Sequence, residues 1–180
     1  MPHITRPAPD EYAPYYAGYI DTAASLIAAQ GLGDVIGLLA AQRDAWESLM
    51  ADVPAARGHE AYAPGKWTLG ESIVHVSDTE RVFAYRLLRI ARGDRTPLPG
   101  FEQDDWVPAS RASARTLADI LAEMYAVRDG TLALVRSLDD EAIAQRGTAS
   151  GREVTARALV WMIAGHMQHH LGLTRDKYLA

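Results

Sequence analysis

The sequence predicts an all-α domain built as a four-helix bundle. Three observations lead there. Apolar residues recur at three- and four-residue steps over four separate stretches, each long enough for a helix. No segment sustains the two-residue alternation of a half-buried strand, and no motif repeats at a fixed spacing. At 180 residues, 48% of them apolar, the chain has the size of one domain and can bury a core without disulfides. Four amphipathic helices of this length bury their stripes best against one another.

Residues 1–32 are expected to form an irregular N-terminal arm that can include a short helix and packs on the surface of the bundle, and residues 33–180 the bundle itself. Residues 1–18 hold four prolines and three tyrosines, with a fourth tyrosine at position 19, the composition of an irregular surface segment. Asp21 to Gln30 can close into a short helix, ended by Gly31-Leu32-Gly33. The first long helix follows an Asp34 cap: Val35, Leu38, Leu39, Gln42, Trp46 and Leu49 mark one buried stripe, and Pro54 closes it.

Residues 54–67 read as a loop. Thr68 and Glu71 then form a capping box, in which each side chain satisfies an amide donor left orphaned at a helix start. The second helix is predicted from about Leu69 to Arg92, with Gly93 as its terminating residue. Its apolar face carries Leu69, Ile73, Val76, Phe83, Leu87 and Ile90, interrupted by Glu80. Gly93 to Ser110 holds Pro97, Pro99, Gly100 and Pro108 and reads as a long ordered loop, the kind that frames a site. The third helix is predicted over about Ser113 to Ser137, a short one from Asp139 through Gln145, and a turn over Gly147 to Gly151. Thr155 can cap the fourth long helix, which continues to about Lys177.

Composition excludes several functions. The formal net charge is −5 and no dense Lys/Arg stripe is present, which argues against a nucleic-acid partner. With no cysteine there is no disulfide framework, no Cys nucleophile and no Cys-ligated zinc. No basic start followed by an apolar run marks a signal peptide, and no stretch approaches a membrane span. A cytoplasmic protein with no membrane partner is expected.

The histidines carry the chemistry. Leu159, Ile163, His166, His170 and Leu173 fall in one row of the fourth helix, so His166 and His170 occupy core-facing positions one turn apart. Two such imidazoles can converge on one cation, and burying them without a partner is costly. The spacing alone leaves another reading open, since a His pair of this kind also arises on solvated faces or bonded to Tyr or carbonyl groups. His75, on the flank of the second helix's stripe, is the candidate third ligand. His169 projects about 100° from His170, and His3 and His59 sit in loops.

Longer motifs add to this. Pro64-Gly65-Lys66-Trp67-Thr68-Leu69-Gly70-Glu71, His75 and Asp78-Thr79-Glu80-Arg81-Val82-Phe83-Ala84-Tyr85-Arg86 resemble the second-helix signature of the DinB/YfiT-like superfamily. Pro99-Gly100-Phe101-Glu102-Gln103-Asp104-Asp105 resembles its following connection, and Ala164-Gly165-His166-Met167-Gln168-His169-His170-Leu171 its fourth-helix motif. The motifs occur in the family's order over roughly residues 33 to 179. The resemblance implies an up-down-down-up bundle holding a divalent metal ion, zinc or nickel, on His75, His166 and His170. It also implies a homodimer acting on a small-molecule substrate. The family includes metal-dependent hydrolases and transferases or isomerases that use a low-molecular-weight thiol as cosubstrate.

Three neutral imidazoles leave an ion with an open position, which serves hydrolysis and thiol transfer alike. Two acids are candidates for catalytic roles. Glu71, one turn before His75, can orient that ring or act as a base, or serve only in the capping box. Glu80 can reach toward the site or pair with Arg81 or Arg86. Asp104 and Asp105 can rim the pocket or stand solvated; Trp67 and Trp161 read as core aromatics, and Tyr12, Tyr15, Tyr16 and Tyr19 as packing residues or a binding surface. Two rival readings are a non-catalytic metal-binding or stress-response helical dimer, and a dimerisation domain whose histidines are merely buried. Metal affinity is expected to fall as pH drops through about 6.5, where free imidazole protonates.

Overall fold

The computed structural model describes residues 3–180; the first two residues of the expected arm lie outside the described residues. Seven helices and one short hairpin are described: α1 (Ala17–Ala29), α2 (Val35–Met50), α3 (Leu69–Ala91), α4 (Gln103–Ala109), α5 (Leu117–Arg136), α6 (Asp140–Ala144), β1 (Arg146–Ala149), β2 (Arg152–Thr155) and α7 (Ala156–Leu173).

The long helices begin where a short polar side chain can take up orphaned amides. Asp34 accepts from Ile36 and Gly37 at 3.0 and 3.1 Å. Thr68 and Glu71 form the expected reciprocal pair at α3. Thr155 accepts from the Ala158 amide at 3.0 Å at the start of α7. The third long helix starts at Leu117 rather than Ser113, because Thr116 takes the cap by accepting from the Asp119 amide at 3.1 Å.

α2, α3, α5 and α7 close a ring in which α2 touches α5 and α7, and α3 touches the same two. Its direction follows from which residues share a core. Leu38 and Leu39 of α2, Leu87 and Ile90 of α3, Leu132 and Val135 of α5, and Leu159 and Val160 of α7 pack together at one end. Trp46, Ile73, Ile120 and Met167 pack at the other. α2 and α7 therefore run one way and α3 and α5 the other, an up-down-down-up order. Between the two apolar clusters each helix contributes one polar residue: Gln42, Glu80, Arg128 and His166, all buried.

Four local expectations are corrected. The arm is not wholly superficial: Ile4 is fully buried, and buried Glu11 accepts from Thr155 Oγ1 at 2.7 Å and pairs with Arg157. Its helix α1 starts at Ala17 rather than Asp21 and packs along α7. The approach is so close that a Cβ on Gly165 would stand 2.4 Å from Tyr19 Cβ and 2.5 Å from its carbonyl oxygen. The 93–110 connection contains α4, a single short helix whose acidic first turn suits its N-terminus while Pro108 masks it in the sequence. Finally, the 147–151 turn is the tip of an antiparallel hairpin. Ser150 and Gly151 both take positive φ, the conformation of a two-residue hairpin turn, and four-residue strands are too short to display alternation. α7 ends at Leu173 and continues as a wide π-helical turn over Thr174–Tyr178.

Candidate metal centre

His75 projects from the first half of α3, and His166 and His170 from the second half of α7, the two helices running antiparallel in contact. All three rings are buried, and one nitrogen of each lies within 4.8 Å of the others. His75 Nε2 stands 3.2 Å from His166 Nε2. Nitrogens bound to one ion at about 2.0–2.1 Å stand about 3 Å apart, so this separation is of the right size.

The far side of two rings is occupied by hydroxyls. Ser72 Oγ lies 3.3 Å from His170 Nδ1, and Thr79 Oγ1 lies 3.5 Å from His75 Nδ1. Both hydroxyls belong to α3, at three residues before and four after His75, and share its face. This leaves Nε2 of His75 and His170 to face the common point. Burial keeps the rings neutral. It pushes the pKa of His75 down to about 4, with the nearby Asp104 charge opposing, and that of His170 down to about 3, aided by His75 and His169. His166 is held well below the usual range, by burial first and then by His170 and His75. In the metal-free protein the protonation of all three rings is thus displaced below the free-imidazole range near pH 6.5.

The cluster opens on a cleft of about 860 Å³. Trp67, whose ring centre lies 4.9 Å from that of His75, forms part of its wall and is half-buried rather than a core residue; Trp161 is in the core as expected. Tyr16 and Tyr19 line the cleft from the arm and α1, Tyr12 is buried, and Tyr15 is exposed. Tyr178, carried back by the wide turn after α7, donates to the Trp67 carbonyl at 2.7 Å. Asp104 lines the mouth from α4, whereas Asp105 does not. His169 is exposed and lies outside the three-ring cluster, and His3 and His59 are exposed.

The two acids stand elsewhere. Glu71 accepts from the Thr68 amide at 2.8 Å and from its hydroxyl at 3.1 Å, and it does not line the cleft. Glu80 faces the bundle interior and accepts from Arg128 Nε and Nη2 at 2.9 and 2.7 Å; its partner comes from α5, so neither alternative holds, pairing with Arg81 or Arg86 or reaching the cleft. Arg81 instead pairs with Asp78 and Glu123.

Ser72, Thr79, Phe83 and Arg86 join the site although the sequence singles none of them out for it, Phe83 reading as a stripe residue and Arg86 as a partner for Glu80. Their spacing from His75 at −3, +4, +8 and +11 places them in its row, and that signal was present. Nothing in the sequence brought Tyr178 or Ser150 to the cleft.

A model of the DinB superfamily matches residues 6–174, so the match reaches back through α1 and most of the arm. Among solved structures, the chain is similar to YfiT from Bacillus subtilis, described as a probable metal-dependent hydrolase with an unusual four-helix bundle topology. The TM-score is 0.69 at 17% identity, over 78% of this chain and 84% of that one. It is also similar to a mycothiol-dependent maleylpyruvate isomerase, with TM-score 0.65 and 18% identity, over 76% of this chain and 57% of the isomerase. The chain thus spans little more than half of that enzyme's length. At these identities the likeness establishes the fold. No curated protein matches the chain by sequence. No described helix is long and apolar enough to cross a membrane.

Proposed function

The chain belongs to the DinB superfamily, and we propose that it is a metal-dependent enzyme acting on a small molecule at a zinc or nickel ion held by His75, His166 and His170. One observation carries the proposal: three buried imidazoles, two with their outer nitrogens at hydroxyls, turn ring nitrogens to one point at the wall of an open cleft. The donor set fits the ion. Neutral rings are the ligating form, and two bare nitrogens 3.2 Å apart repel unless a proton or a cation lies between them. Imidazole suits zinc and nickel alike.

A bound divalent ion supplies Lewis acidity, polarising a substrate oxygen or acidifying a water or a low-molecular-weight thiol. The chain does the rest. Ser72 and Thr79 fix the orientation of the His170 and His75 rings, as outer partners of ligating histidines do. Trp67, Phe83 and Tyr19 exclude water from one side of the reacting group and offer apolar contact. The Tyr178 hydroxyl anchors the Trp67 wall through its carbonyl. Tyr16, its pKa raised to about 12 by burial, stays protonated and can donate a hydrogen bond into the cleft.

Hydrolysis and thiol transfer make the same demand on this arrangement, and an assay separates them. Metal-loaded protein is expected to turn over members of an ester and amide panel, or of an electrophile panel supplied with low-molecular-weight thiols. Chelation should abolish the turnover. Stoichiometric metal with no turnover in either panel would contradict the enzymatic reading and leave a metal-binding bundle.

A further inference from the structure

Two arginines of this protein are almost wholly buried, and their surroundings differ. Arg128, 1% exposed, is neutralised: Glu80 takes two of its hydrogen bonds, and Leu39 O and Gln42 Oε1 accept from Nη1 at 3.1 and 3.3 Å. Arg86, 3% exposed, forms no ion pair among the described residues. Its Nη2 donates to two neutral oxygens, Pro99 O at 2.6 Å and Ser150 Oγ at 2.9 Å. The rings of Phe83 and Phe101, 5.8 and 5.9 Å from the guanidinium carbon, attract the charge without cancelling it. A guanidinium remains protonated even when buried, and a buried charge without a counter-ion is costly.

The rest of the group is open. A guanidinium has five N–H donors, and Nη2 carries only two of them. Nε and Nη1 have no hydrogen-bond partner among the described residues, yet neither is sealed from solvent. Arg86 lines the cleft that holds the three histidines and also a small hollow beside Tyr15, Tyr16 and Glu153, an exposed acid that forms no ion pair with it. His75, Thr79, Phe83 and Arg86 follow one another along a single face of α3 at steps of four, four and three residues. Helix rise separates the Cα atoms of His75 and Arg86 by about 16 Å, and a long side chain leaning toward the helix N-terminus narrows the gap. Glu102 and Asp104 line the same cleft from the exposed surface around α4, where water screens them; neither pairs with Arg86.

We propose that Arg86 is the specificity residue of this cleft, pairing with a carboxylate on the small molecule that binds there, several bonds from the group presented to the histidines. The proposal rests on reading the cleft as the substrate site. It names the substrate class as a carboxylic acid, because a neutral molecule would bury the cation further and leave it uncompensated. The bonds to Pro99 and Ser150 have a second consequence. They tie the 93–102 connection and the hairpin tip to α3, so the guanidinium is held in place before any ligand arrives.

The test is calorimetric titration of glutarate and phenylacetate, each beside its amide, into the protein as purified and after metal removal with phenanthroline, a neutral chelator. The acids are expected to bind saturably and the amides roughly tenfold more weakly or worse, the worth of one charged hydrogen bond. Arg86→Gln should abolish that preference and Arg86→Lys retain part of it. Metal removal should leave it in place, since a carboxylate held only by the ion would lose it. The proposal is overturned if acids and amides bind alike, if neither acid saturates at millimolar concentration, if the preference survives Arg86→Gln, or if it vanishes with the metal. Should Arg86→Gln fail to fold for want of its Pro99 and Ser150 bonds, the acid–amide comparison on unaltered protein and Arg86→Lys decide. An acid preference in a protein that binds no metal would defeat the metal reading alone; stoichiometric metal without acid preference would defeat this one alone.

Discussion

Two buried polar groups sit near the same level of this bundle, and they are finished to different degrees. The inner one is complete. Arg128 takes both Glu80 oxygens, the Leu39 carbonyl and Gln42, and Gln42 passes a hydrogen bond to the Ala164 carbonyl of α7 at 2.8 Å. The other begins two residues along α7 at His166 and has no such closure among the described residues: three rings kept neutral by burial bring nitrogens within 4.8 Å of one another beside an open cleft. A network closed on itself is a structural device whose loss is felt in stability. A cluster of acceptors left open is paid for in desolvation and returns nothing until a ligand arrives. The contrast assigns stability to the first, and it is on the second that the proposed function rests.

Substitutions on each side can break that division. Glu80→Ala should have the largest effect on folding, about 3–5 kcal/mol, because it strands the Arg128 charge in the core. Urea unfolding would register the loss as a lower midpoint at unchanged slope. A cost under about 1 kcal/mol would deny the inner network its role. Acid comes next. The folded pKa values of His75 and His170 lie near 4 and 3, below the unfolded value of about 6.5, so between these limits the unfolded chain binds more protons. Stability of the metal-free protein should therefore fall as pH drops from about 6.5 toward 4, and replacing all three histidines by glutamine should flatten the profile. An equally steep profile in that variant would place the titrating groups elsewhere.

Thr68→Ala should cost about 1 kcal/mol, the usual worth of an N-cap, since it removes the acceptor of the Glu71 amide and one partner of the Glu71 carboxylate. A loss of metal affinity in this variant, beyond the loss of stability, would show that the start of α3 also positions His75. The smallest effect on stability is expected from His166→Ala in metal-free protein, about 1 kcal/mol or less, because the truncation opens into the cleft rather than leaving a sealed cavity and removes a desolvated ring whose one polar contact is the 3.2 Å approach to His75. The melting temperature of the metal-loaded form would separate the two roles: it should fall toward that of the metal-free protein.

Much of this was legible in the residues. The stripes of Leu38, Leu39 and Trp46, or of Ile73, Val76 and Leu87, repeat with the helical period over many turns, so helix existence was readable, and Asp34, Thr68 and Thr155 marked starts by their chemistry. The histidines at 166 and 170 stood out because they fill positions the stripe reserves for apolar side chains. What escaped was short or remote. The hairpin at 146–155 has strands of four residues, and α4 of seven residues carries a proline, so neither offers a full period to read. The partner of Glu80 lies 48 positions away on α5, and Ser150 reaches Arg86 across 64. Such pairings are decided by which helices become neighbours, which local spacing does not encode.

Elemental analysis of protein purified without a histidine tag tests the centre most directly, run side by side on the unaltered chain and on His166→Ala. Three imidazoles converging from α3 and α7 require stoichiometric divalent metal in the first and none in the second, with helical content alike in both. A metal-free unaltered protein, or full occupancy surviving in His166→Ala, would contradict the account.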